Sequence, residues 1–309
     1  MKKVLFSLII IVFFGTHALY AQGDTIETGK NEDTIYKKIE ALTGVKGKLN
    51  EKEGVFKVSF PRSDIEATAA GARLTPPMGL TAWAAFKMMG DHTMMMGDMV
   101  MTEDQVNPVM SVALENGLQV TALHNHFFWD SPKVMFMHIG GMGDPEVLAT
   151  AVGKVFAKMK ETSGGKGEKP YFEIDSSKTT LDPKKIEMIL GVKGELKDGV
   201  YKLTIGKTTM MGGHEMGNAM GVNTWAAFIG SDEKALVDGD FAMLESEVQS
   251  VLKALRLSGI NIVAIHNHMT MENPRIIFLH YWGIGSTADL SKGLKTALDT
   301  QQNQLVIKV

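Results

Sequence analysis

Six histidines in this chain fall into two sets of three with one spacing. His124 and His126 flank an asparagine in "ALHNHFFWDSPKVMFMHIGG", and His138 follows; His266, His268 and His280 do the same in "AIHNHMTMENPRIIFLHYWG". On a β-strand alternate side chains share a face. Each His-Asn-His therefore points two imidazoles one way. If Pro132 and Pro274 mark the middle of a hairpin, residue 126 lies opposite 138 and residue 268 opposite 280, which brings three rings to one patch. Three neutral imidazoles suit a first-row divalent metal: zinc first, with copper, iron or nickel also served by nitrogen donors. A set of three with no fourth protein ligand keeps a place for water or substrate. The competing reading is a set of packed, satisfied core histidines.

Other side chains have weaker claims. Glu272, with its counterpart Asp130, sits in the expected turn and is a candidate general base. Arg275 and Lys133 could hold an anionic substrate. His214 and Glu215, in the Gly-rich "GGHEMGNAMG", could reach the second site, as a further ligand and a further base. Their counterparts Ala72 and Arg73 offer neither, so the second copy is the better candidate for activity. Trp83 and Trp225 read as core residues. The run "KMMGDHTMMMGDMVM" offers soft thioethers that suit Cu(I), or flexible filling for core gaps. The aligned "IGSDEKALVDGDFA" has no methionine and keeps only a Gly-Asp pair, read here as a turn.

The elements that must position these residues also come twice. Shifted by 142 residues, Gly79–Gly143 falls on Gly221–Gly285 without a gap, and eight of twenty positions match within the two histidine segments. Duplication is the economical account. It gives a repeat over residues 34–160, a Gly-rich charged linker over 161–178 and a second repeat over 179–303. Alternating runs such as "VFKVSF" and "VYKLTI" predict strands. "TEDQVNPVMSVALENG" predicts a helix with Val106, Val109, Met110, Ala113 and Leu114 on one face, despite its interior Pro108; "ESEVQSVLKALRLSG" predicts its copy. A closing helix follows, capped by Asp144, with Val147, Leu148, Ala151, Val152, Val155 and Phe156 as its apolar stripe. Strands and helices mingle without strict alternation. The expected class is α+β: two tandem homologous domains, each a mostly antiparallel sheet with two helices.

Composition narrows the function classes. The chain has 309 residues, 44% of them hydrophobic, and no cysteine, which excludes disulfides, thiolate metal sites and a lipid-bearing cysteine. Residues 1–21 carry a basic start, an apolar core and a small residue before the expected cut, the pattern of a secretory signal peptide. Its removal takes the formal charge from −3 to about −5. That acidity speaks against nucleic acid, and no later segment is long and apolar enough to span a membrane. A periplasmic or secreted protein is expected, with a small-molecule or cell-envelope substrate if it is an enzyme.

The segments "FPRSD", "TAWAAF", "ALHNHFFWDSPKVMFMH", "EMGNAMGVNTWAAF" and "AIHNHMTMENPRIIFLHYWG" resemble the LppY/LpqO-like lipoprotein family, a bacterial domain of unknown function often found in tandem. The resemblance covers nearly the whole mature chain. It implies a cell-envelope location, here without the lipid-bearing cysteine, and supplies no reaction. A looser likeness links the histidine hairpin to the acetolactate-decarboxylase-like superfamily, where His-x-His and a third histidine on the next strand hold zinc. The interval to the third histidine is one residue longer here, and that likeness carries no substrate. Three functions stay open: a metal-dependent hydrolase or lyase, a zinc- or copper-binding protein without chemistry, and a structural envelope protein without metal.

Overall fold

The computed structural model describes residues 24–167, 169–171 and 173–303. The leader expected over residues 1–21 lies outside the described residues.

The first repeat runs α1 (Asp24–Thr43), β1 (Gly47–Asn50), β2 (Val55–Pro61), β3 (Thr68–Ala69), β4 (Ala72–Arg73), β5 (Thr81–Met89), β6 (His92–Thr102), α2 (Glu103–Glu115), β7 (Gln119–Asn125), β8 (Asp130–Ser131), β9 (Val134–Gly143) and α3 (Pro145–Glu161). The second runs α4 (Pro183–Leu190), β10 (Gly194–Lys197), β11 (Val200–Gly206), β12 (Thr209–Met211), β13 (His214–Met216), β14 (Asn223–Gly230), β15 (Ala235–Leu244), α5 (Val248–Leu257), β16 (Asn261–His266), β17 (Ile276–Gly285) and α6 (Thr287–Asn303). The α+β class is as expected, and each repeat gains an opening helix beyond the two expected. Among the described residues no helix is long and apolar enough to cross a membrane.

The strands of both repeats join one antiparallel sheet of twelve, in the order β1-β2-β5-β6-β9-β7-β16-β17-β15-β14-β11-β10. Its centre is the β7–β16 pair, which meets at Leu123 and Ile265. One face carries the helices and the main core, including Leu123, Met137, Ile139, Ile265, Leu279 and Tyr281 from the strands. The expected helix faces pack there, with Val106, Val109, Met110, Ala113 and Leu114 buried. On α3 the stripe from Leu148 to Phe156 is buried, but Val147 is 64% exposed. Asp144 explains this: its side chain accepts from the amides of Glu146 and Val147, so Val147 belongs to the capped, solvent-facing first turn.

The two repeats are clamped by a reciprocal pair of side-chain amides. A bulge in β7 lies between Val120 and Ala122, and its copy in β16 between Ile262 and Ala264. Gln249 of α5 bonds both the N–H and the C=O of Val120, at 2.9 and 2.8 Å. Asn107 of α2 does the same for Ile262, at 2.8 and 3.1 Å. Each helix thus satisfies the backbone groups that the other repeat's bulged strand leaves unpaired at the centre of the sheet.

The opposite face of the sheet is largely open. Two small clusters cover part of it: Ile65, Ala67, Leu74, Leu80, Val100, Val134 and Phe136 in the first repeat, and Met216, Val222, Ala242, Ile276 and Phe278 in the second. The histidines lie on this face.

Candidate metal centres

In the second repeat three strands set the site. Asp240 on β15 is directly opposite both Trp225 on β14 and His280 on β17, and His280 is in turn opposite Ala264 on β16. His266, two residues beyond Ala264, is opposite Phe278. His280 and His266 are therefore diagonal neighbours on one face, with ring centroids 4.3 Å apart. His268 lies just past the strand end, stacked on Phe278 at 3.4 Å. Its Nε2 is 3.1 Å from Nε2 of His266 and 3.3 Å from Oδ2 of Asp240.

One ligand atom each from Asp240, His266 and His268 lies within 4.8 Å of the others, a grouping that could hold a metal ion. Two nitrogens about 2.05 Å from one ion at angles between 90° and tetrahedral stand roughly 2.9–3.3 Å apart. The observed 3.1 Å falls in that range. His280 flanks the group, its Nδ1 3.8 Å from Oδ2 of Asp240.

The first repeat repeats this plan. Asp98 on β6 is opposite Trp83 and His138, and His138 is opposite Ala122. Nε2 of His138 is 3.0 Å from Nε2 of His124, the ring of His126 is 5.2 Å from that of His124, and His126 stacks on Phe136 at 3.6 Å. All six histidines thus share the open face, three to a side of the β7–β16 seam.

The electrostatics suit a cation. Burial, reinforced by His280 and His268, holds His266 down at about 4, so the ring is neutral with a free lone pair at pH 7. His126 is lowered first by burial and then by His124. Burial raises Asp98 and Asp240 against the pull of the neighbouring histidines. Two buried atoms have no hydrogen-bond partner here, Oδ1 of Asp98 and Nδ1 of His266. Each is a polar group desolvated without compensation from the protein.

The three histidines of each repeat are neighbours on one face, but by a register other than the one expected, and the group within 4.8 Å takes in His266 and His268 without His280. His138 is opposite Ala122 and not residue 126, and His280 is opposite Ala264 and not 268. The turn is not centred on the proline. Asp130 and Glu272 accept the amides of Val134 and Ile276, and the pairing is centred on these two residues, two before the proline.

The supporting residues fare differently. Glu272 is 8% exposed, not a solvated turn residue, and its Oε1 is committed to the Ile276 amide. Arg275 faces Glu245 at 3.8 Å and Lys133 faces Glu103 at 3.6 Å, an equivalent pair tying each hairpin to the start of α2 or of its counterpart. His214 and Glu215 are exposed on β13, where His214 pairs with Met211 beside the Gly212-Gly213 tip. None of these joins the Asp240–His266–His268 group. Trp83 and Trp225 are half-buried on the open face instead of in the main core, with Lys57 and Lys202 over their rings at 4.0 and 4.2 Å.

Sequence reasoning missed Asp98 and Asp240. The Gly-Asp pair is not a turn; it sits in the middle of β6 and β15. The glycine is there because a Cβ at Gly239 would lie 2.2 Å from the Tyr281 hydroxyl and 2.3 Å from the Trp225 carbonyl, and one at Gly97 would lie 2.7 Å from the Trp83 carbonyl. The signal was available: the pair survives in both copies while the methionines around it do not.

The profile of a domain of unknown function, DUF1259, matches residues 37–158 and again residues 184–300. The chain belongs to that family. Both matched segments contain the complete Asp-His-His-His set of their repeat. No curated protein matches. Among solved structures, a trimeric bacterial microcompartment shell protein, PduB, is similar at 11% identity over 84% of this chain and 92% of that chain, with a TM-score of 0.20. A likeness at that score carries no argument about this protein.

Proposed function

We propose that the protein holds one divalent metal ion in each repeat, on three histidines and one aspartate: His266, His268, His280 and Asp240 in the second, His124, His126, His138 and Asp98 in the first. The observation that carries this reading is the gathering of Asp240, His266 and His268 ligand atoms within 4.8 Å. A small rotation of the His280 ring adds the third imidazole. Zinc is the first choice, since four nitrogen and carboxylate ligands complete its tetrahedral shell. A filled shell on an open sheet face suits metal binding or buffering more than catalysis. None of the cavities described is lined by a cluster histidine; the largest, about 420 Å³, lies along α2 and β16 and is reached by Lys133 and Trp282.

A second reading, a metal-dependent hydrolase or lyase of the cell envelope, is favoured by the exposed edge of the site, where His268 is 35% exposed. It asks for an ion of higher coordination number, such as iron or nickel, with places left for water and a small-molecule or envelope substrate. The leader pattern and the LppY/LpqO-like resemblance support a periplasmic or secreted setting. The acetolactate-decarboxylase-like likeness supports zinc on the histidine hairpin.

The test is elemental analysis of the purified mature protein beside His266→Ala/His268→Ala. Two ions per chain should fall to one. Equal metal content in both proteins, or none in either, removes the proposal.

A further inference from the structure

The methionine run is not core filling throughout. Along β6 it alternates: Met95, Met99 and Met101 are buried in the main core, while Met96 is 59% exposed and Met94 is half-buried on the open face. The register adds a partner. Met94 is directly opposite Met142 of β9, itself 64% exposed, and Met96 is opposite Gly140. Gly140 leaves its corner empty, since a Cβ there would meet only the Met95 carbonyl, at 3.6 Å. Three flexible thioethers therefore surround one vacant corner of the sheet face. Directly opposed Cβ atoms are about 4.5–5.5 Å apart and diagonal ones about 7–8 Å, within reach of methionine side chains.

The other repeat has the same backbone and none of these donors. Its equivalent positions are Leu236, Asp238, Trp282 and Ile284. Apolar cover alone is thus met by leucine and isoleucine at two of these places, so thioethers are not needed for it. The chain has no cysteine, which leaves methionine and histidine as its soft donors. The triangle contains no carboxylate, so a hard divalent ion finds no ligand there.

We infer that Met94, Met96 and Met142 form a Cu(I) site on the open face of the first repeat. Three neutral thioethers are the soft donor set that selects Cu(I) over zinc. The site adjoins the histidine centre, because Asp98 follows Met96 by two residues on the same face, but it does not depend on that centre being occupied.

The experiment is NMR of the full mature chain carrying ¹³C-methyl methionine, titrated with Ag(I) as a redox-stable stand-in for Cu(I), with and without zinc. The Met94, Met96 and Met142 methyl signals should move and saturate together at one equivalent, also with zinc present, while Met95, Met99 and Met101 stay still. Met94→Leu/Met96→Leu/Met142→Leu, which keeps the apolar surface, should lose one equivalent of Ag(I) and keep its zinc content. Unmoved signals, or an unchanged Ag(I) stoichiometry in the triple variant, overturn the inference. So do shifts that track protein concentration instead of silver, which would make the row a self-association surface. Loss of zinc binding alone would sink the histidine reading and leave this one standing.

Discussion

Asp240→Asn should separate a metal ligand from a packed carboxylate, because the two roles give opposite signs. Asp240 is 2% exposed, and Oδ1 accepts the Leu279 amide at 3.1 Å. Asparagine keeps that acceptor and the volume but loses the charge. In the metal-free protein burial raises the Asp240 carboxyl, so removing the charge should leave the melting temperature unchanged or higher. With metal the substitution should cost affinity. Loss even of a residue that only orients a ligand typically costs 10–100-fold, and a direct ligand should reach about the upper end. In a His124→Ala/His138→Ala background, which leaves one site, zinc at 100 times Kd stabilises by about 2.7 kcal/mol. A 100-fold weaker site retains about 0.4 kcal/mol at the same concentration. For a domain of this size, 1 kcal/mol is worth about 2 °C. The zinc-induced shift should therefore fall from about 5 °C to about 1 °C in scanning calorimetry, with no loss in the metal-free scan. Equal zinc shifts in the two proteins, or a drop confined to the metal-free scan, would refute the reasoning.

Other outcomes follow from the same geometry. Gln249→Ala leaves both backbone groups of Val120 without their side-chain partner and should cost about 2 kcal/mol in urea unfolding, with Asn107→Ala close behind. Arg62 is 1% exposed and bonds Asp64, Gln105 and the Val100 carbonyl; Arg62→Ala should destabilise by about 3 kcal/mol, read in the same assay. Hydrogen bonds from Arg62 and Ser163 outweigh burial and hold Asp64 down at about 2. Its folded value is depressed, so its contribution is present above the unfolded value near 3.8 and is lost as pH falls toward 2; Asp64→Asn should flatten stability against pH in that window. The two centres lie about β9 and β17, three strand spacings or about 14 Å apart. Protein loaded with Cu(II) at both centres should show dipolar broadening in its electron paramagnetic resonance spectrum, and the one-site variant should not.

Much of this molecule was legible in its sequence, for identifiable reasons. Duplication exposed the tandem repeat, and period-3.6 patterns located α2, α3 and α5. Period-2 spacing put His124 and His126, and His266 and His268, on common faces. The misses have physical causes as well. Asp98 and Asp240 were hidden because a glycine beside an aspartate usually marks a turn; here Gly239 answers to the Tyr281 hydroxyl and the Trp225 carbonyl, and Gly97 to the Trp83 carbonyl and Ile139. The register slipped because Asp130 and Glu272 reset the hairpin, which local spacing does not record. The shared sheet was invisible for a deeper reason. One strand pair, Leu123 with Ile265, and two amide side chains decide it, and long-range pairing leaves no periodic trace.

The central claim is that three imidazoles and a carboxylate in each repeat enclose one cation. Anomalous diffraction at the zinc edge, from crystals of the mature protein grown with zinc, tests it most directly. The account predicts two peaks per chain on the open sheet face, about 14 Å apart, each about 2.0–2.1 Å from histidine nitrogens and beside Asp98 or Asp240. Rings turned away from one another with no anomalous density between them would contradict it.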